Sequence, residues 1–323
     1  MTTKKKRTLH FLEKYIYSMK LNRFFGDITL YTSKNKKNIV LQLHSGKKKE
    51  NVFNDQLIKE INQALDYITE NLTERQVLIV TGSHECSYFS LGLDVKQMNF
   101  KEKDHQKRID YLSEQMCSIF DRLLLMDCVT IAAINGHCFG AGIFFALACD
   151  WRFAYENSSA SMDHRICFPE IRLNLNVGDG WKELMQSKLP SDTVRTAILT
   201  GKHWSMADAL AGKIVDRIIK DCVSFEDFIL KIQTLCEIPK NGIVFDHKTF
   251  NNKNYRRLKM DLYGHAHSAL FFNFIGFLII CCFIFCIFKF NFLIILDLQY
   301  YKGKIKICLL WKKVMCVGKH VRE

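Results

Sequence analysis

The residues best suited to chemistry lie in two stretches, residues 131–150 and Phe168-Pro-Glu-Ile171. In the first, a β-prone run reaches Gly136, and Gly140-Ala-Gly142 then opens a helix of small residues. A helix that starts on such a turn presents backbone N–H groups with no intrahelical acceptor, and negative charge is welcome there. Glu170 supplies a carboxylate that can be brought near that spot. Together the two stretches read as a site rather than a scaffold.

Short alternating elements must position these residues. Two β-prone runs, 27–31 and 38–44, flank a Lys/Asn/Ser-rich turn and predict a hairpin. Asn54 or Asp55 caps a helix whose Leu57, Ile61, Leu65 and Ile68 share one face. Val77-Leu-Ile-Val80 is a continuously apolar strand of a buried sheet. A helix follows through Leu112, Met116, Phe120 and Leu123, then a strand over 130–134 and another over 151–155. Helices are expected over 191–200 and 205–212, with a further one from near Ser224. This alternation with short loops indicates an α/β fold.

The chain has 323 residues, 48% hydrophobic and 24% charged, enough for one large domain with appendages. Its formal charge of +13 is concentrated at the ends, in Lys4-Lys-Lys-Arg7 and over residues 302–319, and is read as solvated tails with no nucleic-acid partner. The 13 Cys residues contain no Cys-x-x-Cys pair, and several sit in apolar runs, which argues for buried thiols in a reducing compartment and against a metal site. From Ala269 the composition changes. Residues 269–288 carry no charge and are long enough to span a bilayer. Two readings stand for the 267–323 tail: a transmembrane anchor over 269–288, or an extension not native to the domain, since Phe, Ile, Lys, Asn and Tyr are what AT-rich non-coding DNA encodes.

Four motifs in order resemble the crotonase (enoyl-CoA hydratase/isomerase) superfamily. They are Glu50-Asn-Val-Phe-Asn54, Phe89-Ser-Leu-Gly-Leu-Asp94, Asn135-Gly-His-Cys-Phe-Gly-Ala-Gly142 and the segment 197–216 with Thr200-Gly-Lys202. The resemblance implies a crotonase-like spiral of repeated ββα units with a C-terminal helical region over 27–266, preceded by a basic extension over 1–26. It also implies an acyl-CoA thioester substrate with CoA as part of the substrate and no separate cofactor, a homotrimer, and a peroxisomal or mitochondrial location.

In this family an enolate is held between two backbone N–H groups, and the resemblance assigns these to Leu91 and Ala141. Ser90, Gly92, Leu93, Asp94, Gly142 and Phe144 become candidate substrate contacts. Hydratases of the family carry two glutamates. Here Phe144 stands at the first position and Glu170 at the second, which implies a single acid/base group and the Δ3,Δ2-enoyl-CoA isomerase pattern. Burial among Phe144, Phe168, Ile171 and Leu173 is expected to raise the pKa of Glu170. The alternatives are a non-catalytic acyl-CoA-binding module and an enoyl-CoA hydratase. Departures from the family pattern fall at His84, Glu85 and Cys86, at Asn174 and residues 176–179, and in the C-terminal helix, which gives way to the apolar tail.

Overall fold

The computed structural model describes residues 19–33, 35–44, 50–83, 87–94, 104–155, 164–237, 251–289, 293–301 and 304–312. The chain divides into two compact units, Met1–Phe274 and Ile275–Glu323. The run Lys4 to Arg7, the loop departure at His84 to Cys86 and the last eleven residues, 313–323, lie outside the described residues.

The first unit begins with β1 (Met19–Phe25) and β2 (Ile28–Ser33), and then repeats one pattern. Two strands are followed by a helix: β3 (Asn38–Leu43), β4 (Val52–Phe53) and α1 (Asp55–Asn71). The next turn of the spiral is β5 (Val77–Gly82), β6 (Tyr88–Ser90), β7 (Gly92–Leu93) and α2 (Asp104–Leu124). After it come β8 (Val129–Ile134), β9 (His137–Phe139) and α3 (Ala141–Leu147), then β10 (Trp151–Tyr155), β11 (Arg165–Cys167) and α4 (Glu170–Leu173). Helices α5 (Asp179–Lys188) and α6 (Ser191–Thr200), strand β12 (His203–Ser205), α7 (Met206–Ala211), β13 (Arg217–Ile219), α8 (Phe225–Glu237) and the part of α9 (Asn252–Lys289) up to Phe274 complete it.

The first strand of each repeat enters a seven-stranded sheet ordered β1-β2-β3-β5-β8-β10-β13, parallel from β3 onward. Strands β6, β9 and β11 build, with β12, a smaller sheet ordered β12-β11-β9-β6, in which β6, β9 and β11 run parallel, while β4 pairs with β7. Strands β5 and β8 are buried at every residue, as strands covered on both faces must be. Successive side chains of β5 point into different cores: Leu78 and Val80 pack with Leu57, Ile61 and Leu65 of α1, while Val77 and Ile79 pack with Phe228 and Ile232 of α8.

Several expected elements are present. The hairpin is β2–β3, antiparallel with Leu30 opposite Leu41. Asn54 caps α1 by accepting from Leu57 N–H at 2.9 Å. The strand over 151–155 and the helix over 191–200 have the expected bounds. Strand β1 lies in the stretch expected as a basic extension and pairs with β2 at the sheet edge. Cys117, Cys128, Cys138, Cys149, Cys167, Cys222 and Cys236 are free and buried.

The segment where the family pattern was expected to weaken is anchored from inside. Lys259 on α9 is 3% exposed, and its ammonium pairs with Asp150 at 2.8 Å while donating to the Met126 and Cys128 carbonyls. The Tyr255 hydroxyl donates to the same Asp150 oxygen at 3.1 Å. Helix α9 kinks at Tyr263 (φ −121°, ψ 16°). In the second unit β14 (Leu293–Tyr301) and β15 (Lys304–Lys312) pair antiparallel. Among the described residues no helix is long and apolar enough to cross a membrane, and the side chains of 272–288, most of the expected anchor, lie outside them.

Candidate active site

Three parallel strands of the small sheet end side by side, and each end leads straight into a candidate residue. Ser90 closes β6 beside Cys138, and Phe139 closes β9 beside Cys167 of β11. The next residues along each strand are Leu91, Gly140-Ala141 and Phe168-Pro169-Glu170. The carboxyl ends of parallel strands are where open α/β folds bind ligands. Here they open on a cavity of about 450 Å³ whose lining includes Leu91, Leu93, Gly140, Ala141 and Glu170.

The first two loops are locked together through glycines. Gly92 sits at φ +88°, and a Cβ there would lie 2.8 Å from Phe139 O and 2.9 Å from Ala141 N. A Cβ on Gly142 would meet Ser90 Cβ at 2.8 Å. Asn135 bridges from the second loop, accepting from Gly82 N–H and donating to Ser83 O. Asn51, fully buried, donates to the Phe89 carbonyl at 3.1 Å. Both asparagines lie in the quoted motifs, yet residue type alone did not reveal that they are struts. Gly92→Ala is therefore expected to cost about 1–3 kcal/mol through backbone strain. By moving the Ala141 turn it should also lower kcat about 10²- to 10³-fold, the usual effect of losing one oxyanion donor. Thermal unfolding and steady-state kinetics check this, and a variant with native kcat would break the link between Gly92 and the turn.

Ala141 N–H stands in the first turn of α3, where no intrahelical acceptor exists. Leu91 differs from expectation. Its N–H is donated to Glu50 O at 3.0 Å, because the loop runs on into the β4–β7 pairing. That donor is spent on the fold. Of the candidate substrate contacts, Leu93 lines the cavity. Ser90, Gly92, Gly142 and Phe144 are not among its lining residues. The Ser90 hydroxyl is buried, donating to Asn51 O at 2.7 Å and accepting from Gly92 N–H at 3.0 Å. Asp94 donates its N–H to Phe53 O. Phe144 is fully buried, its ring edge-on to Phe168 at 5.5 Å and to Trp181 at 4.8 Å.

Glu170 begins α4, half-buried, and its Oε2 is buried without a hydrogen-bond partner. Burial pushes its carboxyl up to about 7, against a smaller downward pull from its own backbone N–H. The expected apolar surround is present in Phe144 and Phe168, both fully buried. Ile171 departs from it, being 52% exposed. Asn174 closes α4 in the left-handed conformation at φ +54°, a position that suits asparagine and explains one departure from the family pattern.

Helix α2 contributes cavity residues that the sequence reading did not name, among them Gln106, Asp110 and Ser113. Gln106 donates to Asp110 at 2.8 Å. The buried face of α2 through Leu112 and Met116 was visible in the sequence, but which flanking polar residues turn toward a cavity depends on tertiary placement. Among the described residues no group of three or more His, Cys, Asp or Glu side chains gathers to hold a metal ion.

The family model for enoyl-CoA hydratase/isomerase matches residues 34–274. The chain belongs to that family. A short-chain-enoyl-CoA hydratase of Clostridium acetobutylicum is 27% identical over 170 residues, 53% of this chain and 61% of the relative. A carnitinyl-CoA dehydratase of Salmonella paratyphi A is 32% identical over 146 residues, covering 45% and 52% of the two chains. A fatty acid oxidation complex subunit alpha of Idiomarina loihiensis is 24% identical, and the match spans 23% of its length. The chain thus spans between about a quarter and three fifths of the curated relatives it matches. The crystal structure of human mitochondrial delta3-delta2-enoyl-CoA isomerase superposes with a TM-score of 0.61 at 18% identity, covering 78% of this chain and 92% of that one. At that identity the likeness concerns the fold, and it agrees with the crotonase-like spiral.

Proposed function

We propose that the protein is a Δ3,Δ2-enoyl-CoA isomerase of fatty-acid β-oxidation in which Glu170 is both base and acid. The observation that carries this reading is the Glu170 carboxylate, whose Oε2 is buried without a hydrogen-bond partner, held near neutrality and facing the same cavity as the N-terminus of α3. Ionised Glu170 removes a proton from C2 of a 3-enoyl thioester. The electrons of that C–H bond move onto the thioester oxygen as a dienolate, which the oxyanion donors stabilise. Neutral Glu170 then returns the proton to C4 as the C2–C3 double bond forms. No water is consumed, and no second carboxylate is required.

Ala141 supplies one donor. With Leu91 N–H committed to Glu50, the first loop's donor passes to Leu93. Asp94 N–H points to β4, successive N–H groups of a strand point to opposite sides, and Leu93 N–H is therefore directed away from β4. A homotrimer and a peroxisomal or mitochondrial location belong to the same proposal.

Asp110 favours a second reading, hydration, because it places another carboxylate on the cavity wall. The two readings separate in one assay of the full chain. A 3-enoyl-CoA should gain the absorbance of a conjugated thioester, whereas a hydratase removes that absorbance from crotonyl-CoA. Acyl-CoA binding without turnover of either would indicate a binding module. As the base must be ionised, kcat/KM for isomerisation is expected to fall about tenfold per pH unit below about 7. A limb near pH 4.5 would show that burial does not raise the Glu170 carboxyl, and the absence of any acidic limb would remove Glu170 from the base role.

A further inference from the structure

The cavity at Glu170 continues into a second hollow. About 530 Å³ in volume, it shares Glu170, Leu175, Asn176 and Val177 with the first. Its walls are α4, α5 and α6, and apolar side chains, among them Ile171, Val177, Val194, Ile198 and Leu199, line it beside Lys182 and Arg195. Arg172 Nε donates to Gly201 O at 2.8 Å and ties α4 to the end of α6, while a Cβ on Gly201 would come within 3.0 Å of the Ile171 side chain. Ile171 and Leu199 stand at the rim, 52% and 64% exposed. Single exposed aliphatic residues are ordinary; two on neighbouring elements of one apolar groove form a continuous surface.

The chemistry fixes what lies beside Glu170. The carboxylate must reach both C2 and C4, and the thioester oxygen must sit at the Ala141 turn. The acyl chain beyond C4 therefore begins next to Glu170 and leads away from that turn. The groove begins at the same carboxylate.

We infer that the groove between α4, α5 and α6 carries the acyl tail beyond C4, making the protein selective for medium and long straight-chain thioesters over short ones. This inference rests on the isomerase reading of Glu170. The groove is open at its rim, so lengthening the tail covers more aliphatic surface without demanding a new cavity. Each added methylene should tighten binding about fourfold, the equivalent of about 0.8 kcal/mol of transfer free energy.

The test is calorimetric binding of saturated acyl-CoAs from hexanoyl to dodecanoyl by the full chain, with Leu199→Glu in parallel. Leu199 is exposed, so the substitution leaves the fold intact. Wild type should tighten progressively along the series. In the variant the dependence should flatten, with hexanoyl-CoA bound within about twofold of wild type because its tail barely enters the groove. A flat wild-type series overturns the inference, and so does a steep series that Leu199→Glu leaves unchanged. If the variant instead dissociates an oligomer and keeps the steep series, the groove belongs to a second copy of the chain. Failure to bind acyl-CoA of any length would overturn the reading of the site itself, a result distinct from binding that ignores length.

Discussion

Glu170→Gln should lower kcat for double-bond shift by about 10²- to 10⁴-fold, the range expected when a positioned general base is removed, while making the folded protein more stable at alkaline pH. The two effects share one cause. Burial pushes the Glu170 carboxyl up from its ordinary value to about 7. A folded-state pKa above the unfolded one means that the native state holds the proton more tightly. Its stabilising contribution is complete below the unfolded value near 4.5 and is lost as pH rises through about 7. A shift of this size corresponds to about 3 kcal/mol. Glutamine keeps the shape and never ionises. The variant should match wild type in thermal stability at pH 4 and exceed it at pH 8, with activity lost at both. Retained turnover would remove Glu170 from the chemistry; equal stability at pH 8 would show that its carboxylate is better solvated than the geometry indicates.

Lys259→Met should have the largest effect on folding. Its ammonium is buried against Asp150, whose same oxygen also accepts from Thr130 N–H and the Tyr255 hydroxyl. Lys188 lies in the same interior, donating to Cys149 O with its ammonium 3.7 Å from the centre of the Tyr263 ring. Burial pushes Lys188 down to about 7, so at pH 8 it is mostly neutral and Lys259 supplies the balancing charge. Removing one member of a buried pair leaves an uncompensated charge and costs about 3–5 kcal/mol. For a chain of this size that lowers Tm by on the order of 10 °C. The double variant Lys259→Met/Asp150→Asn should recover much of the loss, since asparagine still accepts from Thr130 N–H. A single variant with native Tm at pH 8 would mean that α9 is not held by this contact.

How far the sequence carried differs between parts of the molecule. Continuous apolar runs such as Val77-Leu-Ile-Val80 and the Asn54 cap are local signals, and both elements form where they were expected. Glu170 was legible because it follows Pro169 at the place where the family resemblance implies the second glutamate. The misassigned donor has a physical cause. A backbone N–H carries no side-chain signature, and whether Leu91 donates to substrate or to Glu50 depends on how the two-residue strands Val52–Phe53 and Gly92–Leu93 pair. Strands as short as β4 and β7 have no periodicity to read. Ser90 and Gly142 suggested substrate contacts by their place in the motifs, yet each is fixed by its approach to the other. The α2 wall was hidden for another reason: periodicity identifies a buried face, and the polar residues at its margin look alike until a neighbour is placed opposite.

The aromatic cluster behind the site bears on how this family changes reactions. Phe144 fills the place of a second acid with a ring wedged between Phe168 and Trp181, and Trp181 in turn meets Phe120 edge-on at 4.9 Å. A glutamate introduced there alone would find neither water nor a polar partner, and it would stay protonated or unfold its surroundings. A single substitution at Phe144 therefore does not supply a second working acid at this place. The ring stack would have to be dismantled first, or a second acid recruited from the rim of α2. On the isomerase reading proposed above, packing at Phe144, more than the missing carboxylate, separates this site from a two-glutamate one.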